Sequence, residues 1–447
     1  MIVIRMQVPV LLASMLVAAT SLYAASDDHW PQWRGPSATG VAPKGSPPVT
    51  WSETNNVKWK VKIPGRGSAT PVIWANQLFL QTAMSTGRTP EAGAENPEPQ
   101  RRPGGGGGMR SEKPTEQHEF VVICLDAETG KTIWQKTARQ ELPHEGHHRD
   151  HGFASFSPIT DGEHLWAYFG SRGLYCFDLK GNQKWDKQFG KMQTKNSFGE
   201  GTSPALYKDT IVINWDHEGE DFIAALDKKT GKELWRQPRD EDTTWSTPLV
   251  VEYGGKAQVI TAATKKIRSY DLASGKQLWE CGGLTANVIP TPVADKEKAY
   301  ITSGFRGNAL FAIKLDAMGD ITGTDAIVWS HNKGTPYVPS PMLYGSRLYF
   351  FGGNNSVLSC FDTKTGKPLF QEARVEGLSG VYASPVGAAN RVYLVGRNGA
   401  TAVVKNADQL EVLATNKLDE RIDASPAIAG NRLYLRGQEH LYCLAEK

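Results

Sequence analysis

The residues with the clearest capacity for chemistry form the stretch HEGHHRDH at residues 144–151. Its four histidines stand at positions i, i+3, i+4 and i+7, so one or two helical turns would bring the rings together. Imidazoles grouped in this way bind Zn²⁺ or Cu²⁺. The stretch also suits a recognition rim or a plain polar loop, and the choice depends on where the loop lies in the fold. The four candidate metal ligands are His144, His147, His148 and His151.

A second stretch rich in metal-ligating side chains is WDHEGED, residues 215–221. Its candidate ligands are Asp216, His217 and Glu218. The stretch has enough oxygens for Ca²⁺, but it lacks the full spacing of an EF-hand calcium loop. A solvated connection between two strands is the alternative interpretation.

Two repeated elements indicate the fold that must position these residues. The first is a strand that ends in an aspartate turn and a glycine, followed by a strand that opens on tryptophan, as in ALDKKTGKELW, residues 225–235. The aspartate can accept backbone N–H groups, and the glycine suits a positive φ. The second is a Ser/Thr-Pro pair that opens a strand. It recurs at Pro71, Pro158, Pro204, Pro248, Pro292, Pro341, Pro385 and Pro426.

Eight repeats, each with room for four short strands, predict an all-β, eight-bladed β-propeller. After Pro426 the chain has room for only three strands, so one strand of the last blade is missing. The segment NVKWKVKIPG, residues 56–65, carries Trp59 in the tryptophan position of the repeat. We therefore expect an N-terminal strand to close the last blade and the repeat tryptophans to pack between neighbouring blades.

The ends of the chain and its composition set further limits. Residues 1–25 have the charge, apolar run and small residues of a cleaved signal peptide, without a lipid-anchored cysteine, which predicts a periplasmic or secreted protein. Residues 26–447 are expected to form one monomeric propeller with no transmembrane segment. A glycine- and proline-rich insert at about 85–119 is expected to be disordered. The net charge of +3 does not indicate the excess of positive charge that is typical of nucleic-acid-binding proteins.

We do not expect the five cysteines to form disulfides, although disulfides are common in exported proteins. Cys124, Cys176, Cys360 and Cys443 occupy the same position of a repeated strand. Equivalent positions in separate repeats lie too far apart for a disulfide. We expect these cysteines to be small buried hydrophobic residues.

Several motifs add a resemblance to a known family. The segments WPQWRGP (30–36), SFGEGTSPAL (197–206) and ECGGLTANVIPTP (280–292) resemble exported PQQ-binding-like β-propeller repeat proteins of the quinoprotein-like, BamB-like group. The resemblance covers essentially the whole mature chain. It implies two functional classes, a binding or scaffold protein and a PQQ-dependent alcohol or sugar dehydrogenase.

In such a propeller, the residues just before each Ser/Thr-Pro pair lie around the mouth of the central channel, opposite the aspartate–glycine turns. These residues and one neighbouring loop arginine are polar, aromatic or ionisable, which suits an anionic or polar ligand. The ligand-binding candidates at the mouth are Arg66, His151, Asn196, Glu200, Trp245, Asn287, Arg306, Tyr337, Tyr382, Arg421 and Asp423.

The dehydrogenase class would need PQQ and a Ca²⁺ ion at the mouth. Trp245 is a candidate platform for the quinone, and Glu200, Asn287 and Asp423 are candidate oxygen ligands for the ion. The adjacent cysteine pair common in those dehydrogenases is absent, as is a CxxCH haem motif. We therefore favour a binding or scaffold protein for an envelope or secreted partner or a small polar ligand, with no catalytic residue assigned.

Overall fold

The structure is a computed structural model that describes residues 28–89, 111 and 114–446. These residues form eight sheets, each with four antiparallel strands; seven take these four strands from one sequence repeat, and the eighth is completed by an N-terminal strand. One sheet carries a fifth strand, which pairs parallel. The innermost strands of neighbouring sheets contact each other around a central channel. The prediction of an all-β, eight-bladed propeller is confirmed.

The strands follow the repeats in order, from the channel outward. Blade 1 comprises Val72–Trp74, Gln77–Ser85, His118–Asp126 and Thr132–Glu141; blade 2, Ile159–Thr160, His164–Tyr168, Leu174–Asp178 and Gln183–Lys187; blade 3, Ala205–Tyr207, Thr210–Trp215, Asp221–Asp227 and Glu233–Arg239; and blade 4, Leu249–Tyr253, Lys256–Thr261, Ile267–Asp271, Gln277–Cys281 and the added strand Gly319–Asp320.

The second half of the ring repeats this plan. Blade 5 comprises Val293–Ala294, Lys298–Ser303, Ala309–Lys314 and Ile327–His331; blade 6, Met342–Tyr344, Arg347–Phe351, Val357–Asp362 and Pro368–Arg374; blade 7, Val386–Ala388, Arg391–Val395, Ala400–Lys405 and Val412–Lys417; and blade 8, Ala427–Ala429, Arg432–Arg436, His440–Leu444 and Val57–Lys62. Two single-turn 3₁₀ helices, Gly170–Arg172 and Lys195–Ser197, lie in connections.

The N-terminal strand Val57–Lys62 closes the ring as the outer strand of blade 8. It pairs antiparallel with His440–Leu444, and Trp59 lies opposite Cys443. The predicted closure by an N-terminal strand is therefore confirmed. Because this pairing joins the two ends of the described chain, the sheet of blade 8 holds the propeller shut.

Tryptophans of the outer strands contact glycines in the turns of the next blade. Trp134 of blade 1 lies against Gly181 of blade 2, where a Cβ would come within 2.8 Å of the indole. The same indole donates its N–H to the carbonyl of Leu179 at 3.0 Å. Gly181 has φ of +82°, so both its conformation and this close approach favour glycine. The same contact joins Trp59 to Gly130, Trp185 to Gly231, Trp235 to Gly275 and Trp329 to Gly366.

A ring of hydroxyl groups joins the innermost strands. In seven of the eight blades, all except blade 8, the backbone N–H of the Ser or Thr before the repeat proline donates to the side-chain oxygen of the equivalent residue in the next blade; for Ser157 and Ser203 the N···O distance is 2.9 Å. The Thr70 hydroxyl donates to the Ser425 carbonyl at 3.1 Å and completes the circle. The members are Thr70, Ser157, Ser203, Thr247, Thr291, Ser340, Ser384 and Ser425.

All five cysteines are buried free thiols, which confirms their predicted role as small hydrophobic residues. Cys124 lies opposite Trp134 in blade 1, and Cys176 lies opposite Trp185 in blade 2. Burial raises the pKa of the Cys124 thiol to about 12. These thiols therefore remain protonated at neutral pH and act as packing groups.

The hairpin of blade 1 is longer than the sequence predicted. Ser85 pairs with His118 and Met84 pairs with Glu119, so these ends of the predicted 85–119 insert belong to strands. Most of the insert, residues 90–110, 112 and 113, lies outside the described residues, as does the predicted signal peptide at 1–25. In the described part of the chain, no helix has the length and apolar character needed to cross a membrane.

Candidate functional site

A cavity of about 500 Å³ occupies the mouth of the central channel. Seven members of the hydroxyl ring line it, all except Thr70. Each of their side-chain oxygens accepts a backbone N–H, so each O–H hydrogen remains to be donated. Aromatic rings form much of the remaining wall, and they are Trp33, Phe198, Trp245, Phe305, Tyr337 and Tyr382.

Trp33 forms part of the cavity wall next to the hydroxyl ring. It belongs to the segment WPQWRGP and donates its indole N–H to the Thr291 hydroxyl at 3.1 Å. Trp33 also borders a second cavity of about 30 Å³ on its far side. The next residue, Arg34, is buried and donates to the Pro341 carbonyl at 3.0 Å, which ties this segment to blade 6. Trp33 therefore contributes to the walls of both cavities.

The aromatic walls are held by hydrogen bonds and stacking. The Trp245 indole N–H donates to the Gly199 carbonyl at 2.7 Å, which fixes the ring orientation. Tyr337 stacks on Phe305 with a centroid distance of 4.8 Å and an interplanar angle of 24°. These rings present flat apolar faces that can pack on a planar ligand.

Asn287 supplies a polar group in this wall. Its residue has a positive φ of 54°, and its side chain is buried. Its Oδ1 atom has no hydrogen-bond donor among the described residues. A buried acceptor without a partner is costly, so this oxygen suits a ligand donor or a water molecule.

A cluster of charged groups forms the rim of the cavity. Asp423 accepts Nε–H bonds from Arg397 at 2.7 Å and from Arg421 at 2.9 Å. Both arginines also donate an Nη2–H to Asp150 Oδ1 at 2.8 Å. The Arg397 guanidinium lies 3.7 Å from the ring centroid of Tyr382. Asp150 thus joins the connection after blade 1 to the last two blades.

The structure brings some of the predicted mouth residues together and separates others. Six line the cavity: His151, Trp245, Asn287, Tyr337, Tyr382 and Asp423. Arg421 supports the rim through Asp150 and Asp423. Sequence reasoning missed the hydroxyl ring, although the Ser/Thr-Pro repeat itself was the signal for it. It also missed Trp33 and Asp150, whose positions follow from contacts between segments far apart in the chain.

The other four predicted mouth residues do not line the cavity. Arg66 is exposed and pairs through its backbone with Ala83. Asn196 is exposed in a 3₁₀ turn, and Arg306 is exposed with its guanidinium over the Phe305 ring. Glu200 is buried beside the cavity. Its carboxylate accepts hydrogen bonds from the Ser171 N–H at 2.6 Å and from Arg172 at 2.8 Å.

The HEGHHRDH stretch lies at the mouth, and the helical turns that would bring its four rings together are not formed, because residues 144–151 are bends, a turn and irregular chain. The ring nitrogens therefore find separate backbone partners. His144 Nε2 donates to the Met192 carbonyl at 2.6 Å, and His147 Nδ1 donates to the His148 carbonyl at 2.8 Å. His148 Nδ1 accepts the N–H of Asp150 at 3.2 Å.

His151 is half-buried in the wall of the cavity. Its Nε2 donates to the Glu200 carbonyl at 3.0 Å, so its Nδ1 accepts the Ser155 hydroxyl at 2.8 Å. The surface it exposes faces the cavity. Burial lowers the pKa of His151 to about 4, so the ring is neutral at pH 7.

His144 instead approaches two carboxylates. One ligand atom each from His144, Glu145 and Glu200 lies within 4.8 Å of the others, and His144 Nδ1 has no partner among the described residues. Burial raises the pKa of Glu145 to about 7. The Arg172 guanidinium bound to Glu200 opposes a cation here, so the geometry indicates a hydrogen-bonded acid group more than a metal centre.

The WDHEGED residues have structural partners. Asp216 forms a fully buried ion pair with Arg239, at 2.6 Å from Oδ1 to Nε. His217 Nδ1 accepts the Gln193 N–H, and Glu218 accepts the Thr243 N–H and hydroxyl. The alternative of a solvated connection is wrong for Asp216 and His217, because both are buried. Their metal-binding atoms are already hydrogen bonded within the protein.

The cavity does not present the donor set that PQQ chemistry with Ca²⁺ requires. Ca²⁺ takes six to eight oxygen ligands, several of them carboxylates. Among the described residues, the carboxylates that line the cavity are Asp150 and Asp423, and both are neutralised by Arg397 and Arg421. Glu200, the other predicted ligand, is bound to Arg172 outside the cavity. The residues therefore do not fit the ion.

Two solved structures of dehydrogenases share the fold, and a third solved structure matches more weakly. The europium-containing methanol dehydrogenase is 10% identical with a TM-score of 0.63, over 94% of this chain and 98% of that chain. The quinohemoprotein alcohol dehydrogenase from Comamonas testosteroni is 12% identical with a TM-score of 0.61, over 94% and 81%. BamB from Moraxella catarrhalis is 14% identical with a TM-score of 0.36, over 74% and 80%.

Sequence comparison identifies the family. No curated protein matches this chain. The family described as outer membrane protein assembly factor BamB matches residues 116–220 and 217–447. These two ranges together span most of the chain. The chain belongs to this family of PQQ-like β-propellers.

Proposed function

We propose that this propeller is an exported binding protein that holds one small organic molecule in the mouth of its channel. The observation that carries the proposal is the cavity of about 500 Å³, whose wall combines six aromatic rings with seven members of the hydroxyl ring. Pockets for small molecules have this volume and combine apolar walls with a few placed polar groups. An export signal at residues 1–25 would place the protein in the periplasm or outside the cell.

The composition of the wall supports a planar ligand with hydrogen-bond acceptors. Trp245, Tyr337 and Phe198 offer flat faces, and the hydroxyl ring offers O–H donors. Asn287 offers an acceptor without a protein donor. A face that only docks a protein partner does not require a cavity lined by aromatic rings, so a small ligand accounts for more of these features.

The experiment is a titration with 1-anilinonaphthalene-8-sulfonate, a fluorescent probe of apolar cavities. In the variant Val338→Trp, a large ring would fill the cavity from its wall. The matched control is Val328→Trp on the outer strand of blade 5, where Val328 is 44% exposed. We expect one probe molecule per chain in the wild type and in Val328→Trp, and loss of binding in Val338→Trp.

The same titration separates the alternative functions. If neither the probe nor PQQ binds, or if Val338→Trp has no effect on binding, the small-molecule proposal is contradicted. PQQ is added with and without Ca²⁺ as a second arm. Saturable binding of PQQ that depends on Ca²⁺ and displaces the probe would favour the dehydrogenase class instead.

A further inference from the structure

The rim of the cavity contains a carboxylate site that a residue of the protein itself fills. Asp150 Oδ1 accepts one hydrogen bond from Arg397 and one from Arg421, each at 2.8 Å. Asp150 Oδ2 accepts the Tyr382 hydroxyl at 3.3 Å. Three donors from blade 7 and its flanking connections thus converge on one carboxylate. This carboxylate belongs to the connection between blades 1 and 2.

These donors are held in place independently of Asp150. Asp423 binds the Nε–H groups of Arg397 and Arg421, which leaves an Nη2–H group of each arginine directed at Asp150. The Arg397 guanidinium also packs on the Tyr382 ring at 3.7 Å. Two arginines and one aspartate carry a net charge of +1. Without Asp150, the cluster would remain an oriented anion site next to the cavity.

Asp150 is anchored by its side chain more than by its backbone. Its backbone N–H is bonded to His148 Nδ1, and its neighbour Arg149 is exposed at the cavity rim. Residues 149 and 150 lie in a turn between strands, not in a sheet. Displacement of this carboxylate would therefore break side-chain bonds without breaking strand pairing.

Building on the proposed function, we propose that Arg397, Arg421 and Tyr382 form a subsite for the carboxylate of a planar aromatic acid, and that Asp150 occupies this subsite as an internal competitor. The ring system of the acid lies in the cavity against Trp245 and Tyr337. Its carboxylate takes the place of the Asp150 carboxylate, so the charge balance of the rim is unchanged.

The test compares two probes of the same shape, naphthalene-2-carboxylate and naphthalene-2-carboxamide, by calorimetric titration. The proteins are the wild type, Asp150→Ala and Asp150→Ala combined with Arg421→Gln. Removal of the competitor should increase the affinity for the carboxylate by about tenfold or more, the effect of one charge-assisted bond. The affinity for the carboxamide should change less than about twofold, and Arg421→Gln should abolish the gain.

Asp150→Asn serves as a second variant that keeps the shape of the side chain, and thermal melting checks that each variant folds. Asp150→Asn should show the same selective gain in affinity for the carboxylate probe, but a smaller one. An equal gain for both probes, or no gain for the carboxylate, would overturn the subsite. If both probes bind every variant with the same affinity, the cavity binds small molecules as proposed, but the carboxylate subsite is wrong. If neither probe binds in any protein, and the anilinonaphthalene probe also fails, the proposed function is wrong as well.

A further arm separates a small acid from an acidic peptide. A tetraglutamate peptide offers carboxylates without an aromatic body. If the peptide binds Asp150→Ala more tightly than naphthalene-2-carboxylate does, and Val338→Trp does not affect its binding, then the site recognises an acidic protein segment. That result would overturn the proposal. Weak peptide binding, together with carboxylate binding that Val338→Trp abolishes, supports it.

Discussion

Arg421 Nη2 lies 2.8 Å from Asp150 Oδ1, although 271 positions of the chain separate the two residues. The contact joins the connection after blade 1 to the connection after blade 7. It therefore holds the histidine-rich loop over the mouth of the channel rather than in solvent.

This contact predicts how the loop moves. Replacing Asp150 by Ala removes three side-chain bonds, so we expect faster amide hydrogen exchange across residues 146–152 and unchanged exchange in the inner strands. The matched control is Asp408→Ala, which removes an exposed carboxylate paired with Arg347 at 2.6 Å. Equal exchange of the loop in Asp150→Ala and wild type would show that the rim contacts do not anchor it.

The hydroxyl ring predicts the cost of removing one member. In Ser203→Ala, the backbone N–H of Ser157 loses its acceptor. An unpaired buried N–H costs about 1–3 kcal/mol, which denaturant unfolding should detect. Ser330→Ala, on an exposed outer strand, should change the free energy of unfolding by less than about 0.5 kcal/mol. A similar small change in both variants would mean that the ring does not tie the blades together.

The buried pair of Asp216 and Arg239 predicts a larger effect. Asp216→Asn leaves the Arg239 charge buried without its counter-ion, which should cost about 3–5 kcal/mol of stability. The double variant Asp216→Leu with Arg239→Met should be more stable than Asp216→Asn, because both charges of the pair are removed together and Arg239 is not left without its counter-ion. Chelation with EDTA should not change the melting temperature. A drop in that temperature with EDTA in the wild type that is absent in Asp216→Asn would indicate a metal at this position.

His151 predicts a pH dependence of stability. Its pKa in the folded protein, about 4, lies below the ordinary value of 6.5 because burial disfavours the charged ring. The contribution of His151 to the free energy of unfolding is therefore fully present above pH 6.5. It is lost as the pH falls towards 4, by at most about 3 kcal/mol. His147 and His148 lie nearby and also disfavour the charge.

The measurement is the free energy of unfolding of wild type and His151→Gln between pH 4 and 8. The pKa of Glu145 is raised to about 7, so its contribution is lost as the pH rises, with the opposite sign. Glu145 is present in both proteins, and the difference between the two curves isolates His151. A difference that does not vary with pH would contradict the assigned burial of this ring.

The fold was predictable from the repeats, because the residues that begin each strand and form each turn lie close together in the sequence. Each Ser/Thr-Pro pair marks an inner strand, each aspartate–glycine turn marks a hairpin, and Trp59 marks the strand that closes blade 8. The burial of Cys124 was predictable for the same reason, since its position in the repeat is that of a strand facing the next blade.

The site was only partly predictable, because its chemistry depends on contacts between distant loops. The position of Trp245 before Thr-Pro located it at the mouth. Nothing local in the sequence indicates that Trp33 reaches Thr291, or that Asp150 reaches Arg397. The spacing of the four histidines suggested a helix, but Gly146 and backbone hydrogen bonds favour turns instead.

The most direct test of the central claim is native mass spectrometry of the protein purified without denaturation from its own cells. Wild type and Val338→Trp are compared, because the added ring fills the cavity without altering the rim charges. We predict a single small organic molecule retained by the wild type at one per chain and absent from Val338→Trp. The same bound mass in both proteins would contradict a ligand held in the channel mouth.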